Sequence, residues 1–388
     1  MNKDNWKAER ERIFNDYADK VRKDPVRIKE VEEQKMYFED VYMKYGMSII
    51  GEPDENGYPL YIAMHGGGQD PTHMINEQQW EHMGIYYKGS VKRGIYINVR
   101  AVRDTWDCHG NPESFPLYDR LIENMMIFKN ADPNRVYMLG YSAGGDGVYI
   151  VSPRMADRLA ATHMSAGHHN GTSIYNLRNT PIQLQVGALD TAYNRHKVTV
   201  EYQVKLDGLE EKYGGYEHNT FVHINKPHNF YDYKKDELQS VIADNYKWLE
   251  DDTVTEKKAD TDAIHFLDRY TRKPIPDRIV WDLTNRAPKR NVTSFYWLRA
   301  PKDETEGFIV CDLDKENNGI VIGKDTKAKT FTILLNDDML DLDKIVNVSF
   351  GNRKWEIKVQ RSEEVLENTL AEREDKNFAF TAKIDIEL

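Results

Sequence analysis

A serine sits among glycines in the stretch Gly140-Tyr141-Ser142-Ala143-Gly144-Gly145, directly after the apolar run Val136–Leu139. A hydroxyl placed there has a chemical reading. A tight strand-to-helix turn forces its central residue into strained geometry and demands small neighbours. It lifts the hydroxyl of Ser142 clear of the sheet, at the head of a helix whose dipole favours developing negative charge. The alternative is a glycine-rich loop carrying an incidental serine, and the motif alone does not decide between them.

Residues elsewhere in the chain do. The stretch "MHGGGQD" (64–70) also follows an apolar run. Acyl transfer passes through a negative tetrahedral oxygen, which backbone N–H groups stabilise when they are aimed at it in advance. Gly66 or Gly67, with the amide of Ala143, would form such an oxyanion hole. A serine hydroxyl also needs a base to take its proton and an acid to orient that base. In this arrangement they follow the serine, acid first and histidine last. "QLQVGALDTAYNRH" supplies Asp190, and "FVHINKPHNFYDY" supplies His228 on the loop after the next apolar run.

Competing residues fit less well. Asp146 follows the serine too closely and is expected to brace the helix; Asp232 comes after the histidine, out of order. His223 lies within an apolar strand and reads as a core residue. His168 and His169, in "SAGHHNG", are expected at the same rim of the sheet, because loops at strand C-termini gather there. No Asp or Glu stands at metal-ligand spacing to them, so neither metal nor organic cofactor is expected.

In this order, "HGGGQD", "GYSAGGDGVY", "GALDTAYNR" and "KPHNF" resemble the α/β-hydrolase superfamily. They are similar in particular to esterases and peptidases related to the polyhydroxybutyrate-depolymerase and feruloyl-esterase-like groups. The resemblance covers nearly the whole chain after about residue 36, including a β-rich C-terminal part around "TFTILLNDDMLDLDKIVNVSFGNRKW". It implies Ser142 as nucleophile, Asp190 as acid, His228 as base, and Gly66, Gly67 and Ala143 as the oxyanion hole. One departure stands out. Many relatives carry Gly-His-Trp at the base, where this chain has Pro227-His228-Asn229.

Positioning these groups requires a particular succession of elements. From about residue 36 to 250, short apolar runs alternate with segments of helical spacing, such as 116–130, 196–215 and 237–252. Strands alternating with helices imply parallel pairing through crossover helices. After the Pro274–Pro276 segment, short β-rich runs separated by turns point to an antiparallel sandwich. The expected division is an N-terminal helical extension (1–35), a doubly wound α/β-hydrolase domain (36–272) and an all-β, Ig-like sandwich (273–388).

Pocket candidates come from loops. Trp106 and Arg103, in "RAVRDTWDCHGNPESFPLYD" (100–119), join His168 and Tyr141. Each has a plainer reading: a core plug for Trp106, and an ion pair for Arg103, which is the better supported of its two. Trp281, Tyr296, Trp297 and Trp355 in the C-terminal part could form a sugar-binding platform, but filling the core suits them better.

Composition narrows the rest. The 388-residue chain carries a formal net charge of −11 with signs interspersed, which gives no reason to expect nucleic acid or an anionic membrane as partner. Two distant cysteines and a charged N-terminus without an apolar leader suit a cytoplasmic protein. The expected partner is a small-molecule or oligomeric ester; homo-oligomer formation is left open. The expected activity is serine hydrolysis of a carboxylic ester, whose leaving group needs less protonation than an amine. A peptidase or amidase on the same residues, and a binding protein without turnover, are the alternatives.

Overall fold

The computed structural model describes residues 1–68, 73–230, 240–242 and 261–388. Its larger sheet is built from β1 (Lys35–Phe38), β2 (Val41–Ile50), β3 (Tyr58–Met64), β4 (Gly94–Val99), β5 (Ala131–Tyr141), β6 (Ala161–Ser165), β7 (Ile182–Gly187), β8 (His218–His223) and β9 (Ser240–Ile242). The spatial order is β1-β2-β4-β3-β5-β6-β7-β8-β9. Pairing from β4 through β8 is parallel, while β1, β2 and β9 join antiparallel. The sheet is therefore mixed but mostly parallel. Its parallel strands read as unbroken apolar runs because both faces are covered: all six residues of β4 and of β7 are buried.

In chain order, helices α1 (Trp6–Lys23) and α2 (Pro25–Glu32) precede these strands, and α3 (His73–Tyr86), α4 (Ser114–Lys129), α5 (Ala143–Val151) and α6 (Arg195–Tyr213) alternate with them. Strand order reverses at β3. The chain leaves it for β4 on one side and returns to β5 on the other, so the loops after β3 and β5 part there. In open α/β sheets such a switch point leaves a crevice at the carboxyl ends of the strands. The loops that carry Gly66, Gly67 and Ser142 start at this point of the sheet.

Two expectations change. The segment 237–252 was expected to be helical, but Ser240–Ile242 pair antiparallel with β8; its remainder, like Asp232, lies outside the described residues. In addition, β1 and β2 form an antiparallel hairpin where no strand was expected.

The described residues divide into two compact units, one of Met1–Ile28, Lys273–Arg286 and Arg290–Leu388, the other of Lys29–Arg272 and Ala287–Lys289. The N-terminal helix α1 thus groups with the C-terminal residues. It buries Trp6, Ala18 and Val21, and its Ile13 packs on Leu366, Leu370 and Ala379 of the same unit. The rest of this unit contains β10 (Arg278–Asp282), β11 (Ser294–Phe295), β12 (Leu298–Arg299), β13 (Phe308–Asp314), β14 (Gly319–Ile322), β15 (Thr330–Leu335), β16 (Val346–Phe350), β17 (Arg353–Ile357) and β18 (Ala382–Glu387). They form a five-stranded sheet, β10-β13-β14-β16-β17, and a four-stranded one, β11-β12-β15-β18.

The all-β, antiparallel expectation for this unit needs correcting. A helix spans Glu363–Arg373, started by the Ser362 side chain accepting from the Val365 amide, and β14 pairs parallel with β16. Trp281, Tyr296 and Trp297 are buried, and the Trp297 indole donates to Pro276 O at 2.8 Å. These three aromatics are core, not an exposed platform. Both cysteines are free and buried.

Backbone proximity around α5 yields a stability test. Ala ordinarily favours a helix over Gly by about 1 kcal/mol. A Cβ on Gly144, however, would stand 2.0 Å from Met64 O, a strand backbone that cannot give way. The clash should win, and Gly144→Ala should lose about 2–3 kcal/mol in urea denaturation. A gain in stability would show that β3 and α5 are not so close.

Candidate functional site

Parallel register brings the site residues to one end of the sheet. Met64 pairs with Gly140, and Gly140 with Met164; Gly187 pairs with His223. The loops beginning at His65, Ser142, Ala166, Ala188 and Ile224 therefore start at neighbouring strand ends. Ser142 has φ 60° and ψ −121°, a left-sided conformation that a non-glycine residue adopts only when its surroundings enforce it. The enforcement is visible. Its amide donates to Ser165 O at 2.9 Å, and a Cβ on Gly140 would meet Gly144 O at 2.2 Å. The glycines of the turn are there because the chain doubles back on itself without room for side chains.

Ser142, His228 and Asp190 come together in a line. The His228 Nδ1–H donates to Asp190 Oδ2 at 2.6 Å. That leaves Nε2 to accept from the Ser142 hydroxyl at 2.9 Å. Asp190 is 2% exposed, and its second oxygen lies 3.6 Å from Nη1 of Arg195. Its main-chain oxygen accepts from Nδ1 of His196 at 3.0 Å, which fixes the loop after β7. Such a line can pass a proton from a hydroxyl to an imidazole while a fixed carboxylate keeps the ring's tautomer and orientation.

The loop after β3 is shaped by two histidines and an asparagine. The Ala101 amide donates to His65 Nε2 at 3.1 Å, so Nδ1–H of His65 donates to Gly66 O at 2.5 Å. His109 Nε2–H donates to His65 O at 2.9 Å. A trans peptide turns its N–H opposite to its C=O. Each bond to a carbonyl therefore fixes the amide of the same peptide, that of Gly66 through His65 O and that of Gly67 through Gly66 O. Gly66 lies against the serine, since a Cβ there would sit 3.4 Å from Ser142 Cβ. Asn76 clamps the far side, accepting from Gly68 N at 2.9 Å and donating to Gly68 O at 2.8 Å. Gly67, at φ 102°, has no space for a side chain beside Asn76. Ala143 opens α5, where its amide has no carbonyl one turn earlier to bond.

Burial sets the protonation of the supporting histidines. It pushes His65 down to about 4 and His109 well below the usual range. Both therefore stay neutral at ordinary pH, each with one donor and one acceptor nitrogen. Sequence reasoning named neither His65 nor Asn76 as a shaping residue. The position of His65 between an apolar strand and three glycines was the available signal; Asn76 gave none.

The pocket candidates separate. Tyr141 is a brace: its hydroxyl donates to His228 O at 2.5 Å, and its ring lies 5.3 Å from the imidazole and from Tyr86. Arg103 makes the ion pair that was its better-supported reading, its guanidinium going to Asp40 at 3.0 Å and toward Glu113 at 3.5 Å. Trp106 meets Tyr193 edge-on at 4.8 Å, and its carbonyl lies beside Gly68, which also neighbours Ala143. His168 has its ring on Asn170, with Nδ1 2.7 Å from Oδ1, while its amide donates to Asp146 Oδ1 at 2.6 Å. Asp146 thus ties α5 to the loop after β6, a bracing part. Among the described residues, the carboxylate and histidine groups that could hold a metal are Asp207–Glu210–His218 and Glu39–Asp40–Glu113, neither of which includes His168 or His169.

No family model matches the chain. A bifunctional acetylxylan esterase/xylanase from Neocallimastix patriciarum is 28% identical over 140 residues, 36% of this chain and 20% of that protein. The chain thus spans about a fifth of the length of this curated relative. Among solved structures, a thermostable esterase is 16% identical over 61% of this chain and 62% of its own, with a TM-score of 0.39. The ferulic acid esterase AmCE1/Fae1A of Anaeromyces mucronatus is 15% identical over 50% and 84%, with a TM-score of 0.33.

Asp146 makes stability depend on pH. Burial raises its carboxyl to about 6, against about 3.9 in an unfolded chain. Between those values the folded protein keeps a proton that the unfolded chain has lost, so this stabilising contribution is present below about pH 4 and disappears through pH 6. Asp146→Asn retains an acceptor for the His168 amide without that titration. From pH 4 to pH 7 its stability should rise relative to wild type by on the order of 2 kcal/mol in denaturant titrations. A constant difference would place Asp146 in contact with water.

Proposed function

We propose that this chain is a serine hydrolase acting on carboxylic esters through Ser142, His228 and Asp190. The observation that carries the reading is the hydrogen-bonded line from the Ser142 hydroxyl through His228 to Asp190, at 2.9 and 2.6 Å, on a serine held at φ 60°. The sequence similarity to an acetylxylan esterase adds support for an ester over an amide.

In this mechanism Ser142 Oγ attacks the ester carbonyl carbon as its proton passes to His228 Nε2. The imidazolium keeps its Nδ1–H on Asp190, whose charge stabilises it. The carbonyl π electrons move onto oxygen, and the amides of Gly66 or Gly67 and of Ala143 receive that negative charge; each such donor contributes about 3 kcal/mol to the transition state. Collapse of the tetrahedral adduct breaks the ester C–O bond, and the imidazolium proton goes to the leaving alkoxide. Water, deprotonated by His228, then releases the acid from Ser142. For the C-terminal residues we propose a two-layer sandwich beside the helix Glu363–Arg373. Its support is the alternation of buried and exposed positions along β18 and the buried aromatics of the same unit.

A fluorophosphonate probe should label wild type and leave Ser142→Ala unmodified. On a panel of acyl esters and matched amides, Ser142→Ala should lose about 1,000-fold or more in kcat. Equal labelling of the two proteins would refute the assignment of the nucleophile.

A further inference from the structure

The chain spends a buried cation where helix physics disfavours one. Arg195 is the first residue of α6, and a helix N-terminus repels positive charge. It is nevertheless 7% exposed. The two residues before it, Tyr193 and Asn194, are both left-handed, at φ 55° and 56°, a conformation uncommon for any residue but glycine. The effect of this double turn is to send the Arg195 side chain back toward the loop it has just left. There its Nη1 stands 3.6 Å from Asp190 Oδ1, and the Tyr193 ring covers the guanidinium at 4.8 Å.

A purely structural ion pair would be better made. The contact is longer than a direct hydrogen bond, and Arg195 Nε is buried with no partner among the described residues. Broken local rules of this kind collect at functional sites. On the reading that Ser142, His228 and Asp190 form the reacting line, we infer that Arg195 is a positioning residue. It holds the outer oxygen of Asp190 and balances its charge, so that the inner oxygen stays ionised and aimed at His228. A carboxylate as buried as Asp190 favours its neutral form unless a cation faces it. Were Asp190 to carry a proton, His228 would lose the acceptor that keeps Nδ1 protonated and Nε2 free for the serine.

Arg195 is shared. Its charge also acts on Asp146 of α5. The other groups nearby are Tyr193 and His196 on its own loop, with His228 beyond Asp190, and His168 and Asp107 beyond Asp146. Removing the cation with Arg195→Gln favours the imidazolium of His228, so the acid limb of kcat/KM should move up by about one pH unit.

The test is the pH profile of ester hydrolysis by wild type, Arg195→Gln and Arg195→Lys. Arg195→Gln should also lose about tenfold in kcat with KM little changed, and Arg195→Lys should restore the position of the limb. A limb that is unmoved or moves down in Arg195→Gln would overturn the role of Arg195. If Arg195→Gln does not fold, Tyr193→Ala, which uncovers the guanidinium to water, should move the limb up by a smaller step, and an unmoved limb there overturns it. Full turnover by Ser142→Ala would instead sink the underlying triad, a result the Arg195 variants cannot imitate.

Discussion

Backbone packed directly on backbone is the constraint from which the site follows. Three segments, the end of β3, the turn into α5 and the end of β6, approach so closely that a single methyl group has no place between them. A Cβ on Gly144 would overlap Met64 O, one on Gly145 would stand 2.5 Å from Ser165 O, and one on Gly167 would stand 2.4 Å from Gly145 C. Interiors at crystal-like density do not absorb such overlaps. The glycines are therefore less a source of freedom than a condition for contact, and contact is what holds Ser142 in a conformation it would otherwise leave. Strain at one residue is maintained by three strands that have little else they can do.

The same closeness governs the electrostatics. Excluding side chains also excludes water, and a charge without water needs a partner. Asp190 has such partners at both oxygens, His228 on Oδ2 and Arg195 near Oδ1. The pairing explains how a carboxylate that is 2% exposed can keep its place beside an imidazole. It also explains why the loop after β7 tolerates two successive left-handed residues: their cost is offset by returning a cation to the chain's own buried anion.

Much of this was legible from the residues. That Ser142, Asp190 and His228 come together could be read, because residue type, chain order and position after an apolar run each leave a mark. The parallel part of the sheet could be read because strands covered on both faces are apolar throughout. What escaped was of another kind. The hairpin of β1 and β2 has one exposed face and alternates, so no apolar run announces it. The helix Glu363–Arg373 was missed among β-rich segments although Ser362 and the acidic pair after it mark a helix start. Tyr141 was offered for the pocket, and direction is set by contacts that sequence does not show: His228 is 87 residues from Tyr141.

Burial finally separates the chain's 12 histidines. His65, His109, His163 and His223 are wholly buried, and desolvation lowers all four. Each is spent on fixed hydrogen bonds. His163 meets Gln183 and Ser165, at 2.9 and 2.7 Å, and His223 meets Gln185 at 2.9 Å. A ring held by such bonds, in surroundings that penalise its charge, is a neutral strut. His228 differs in environment more than in chemistry. Its side chain is 36% exposed, so an imidazolium there keeps some solvation, and an anion waits on Nδ1. It is thus the histidine facing Ser142 that combines a free acceptor nitrogen with the means to hold a transient positive charge. The buried rings earlier in the chain make that possible by fixing the glycine loop and the sheet floor against which it works.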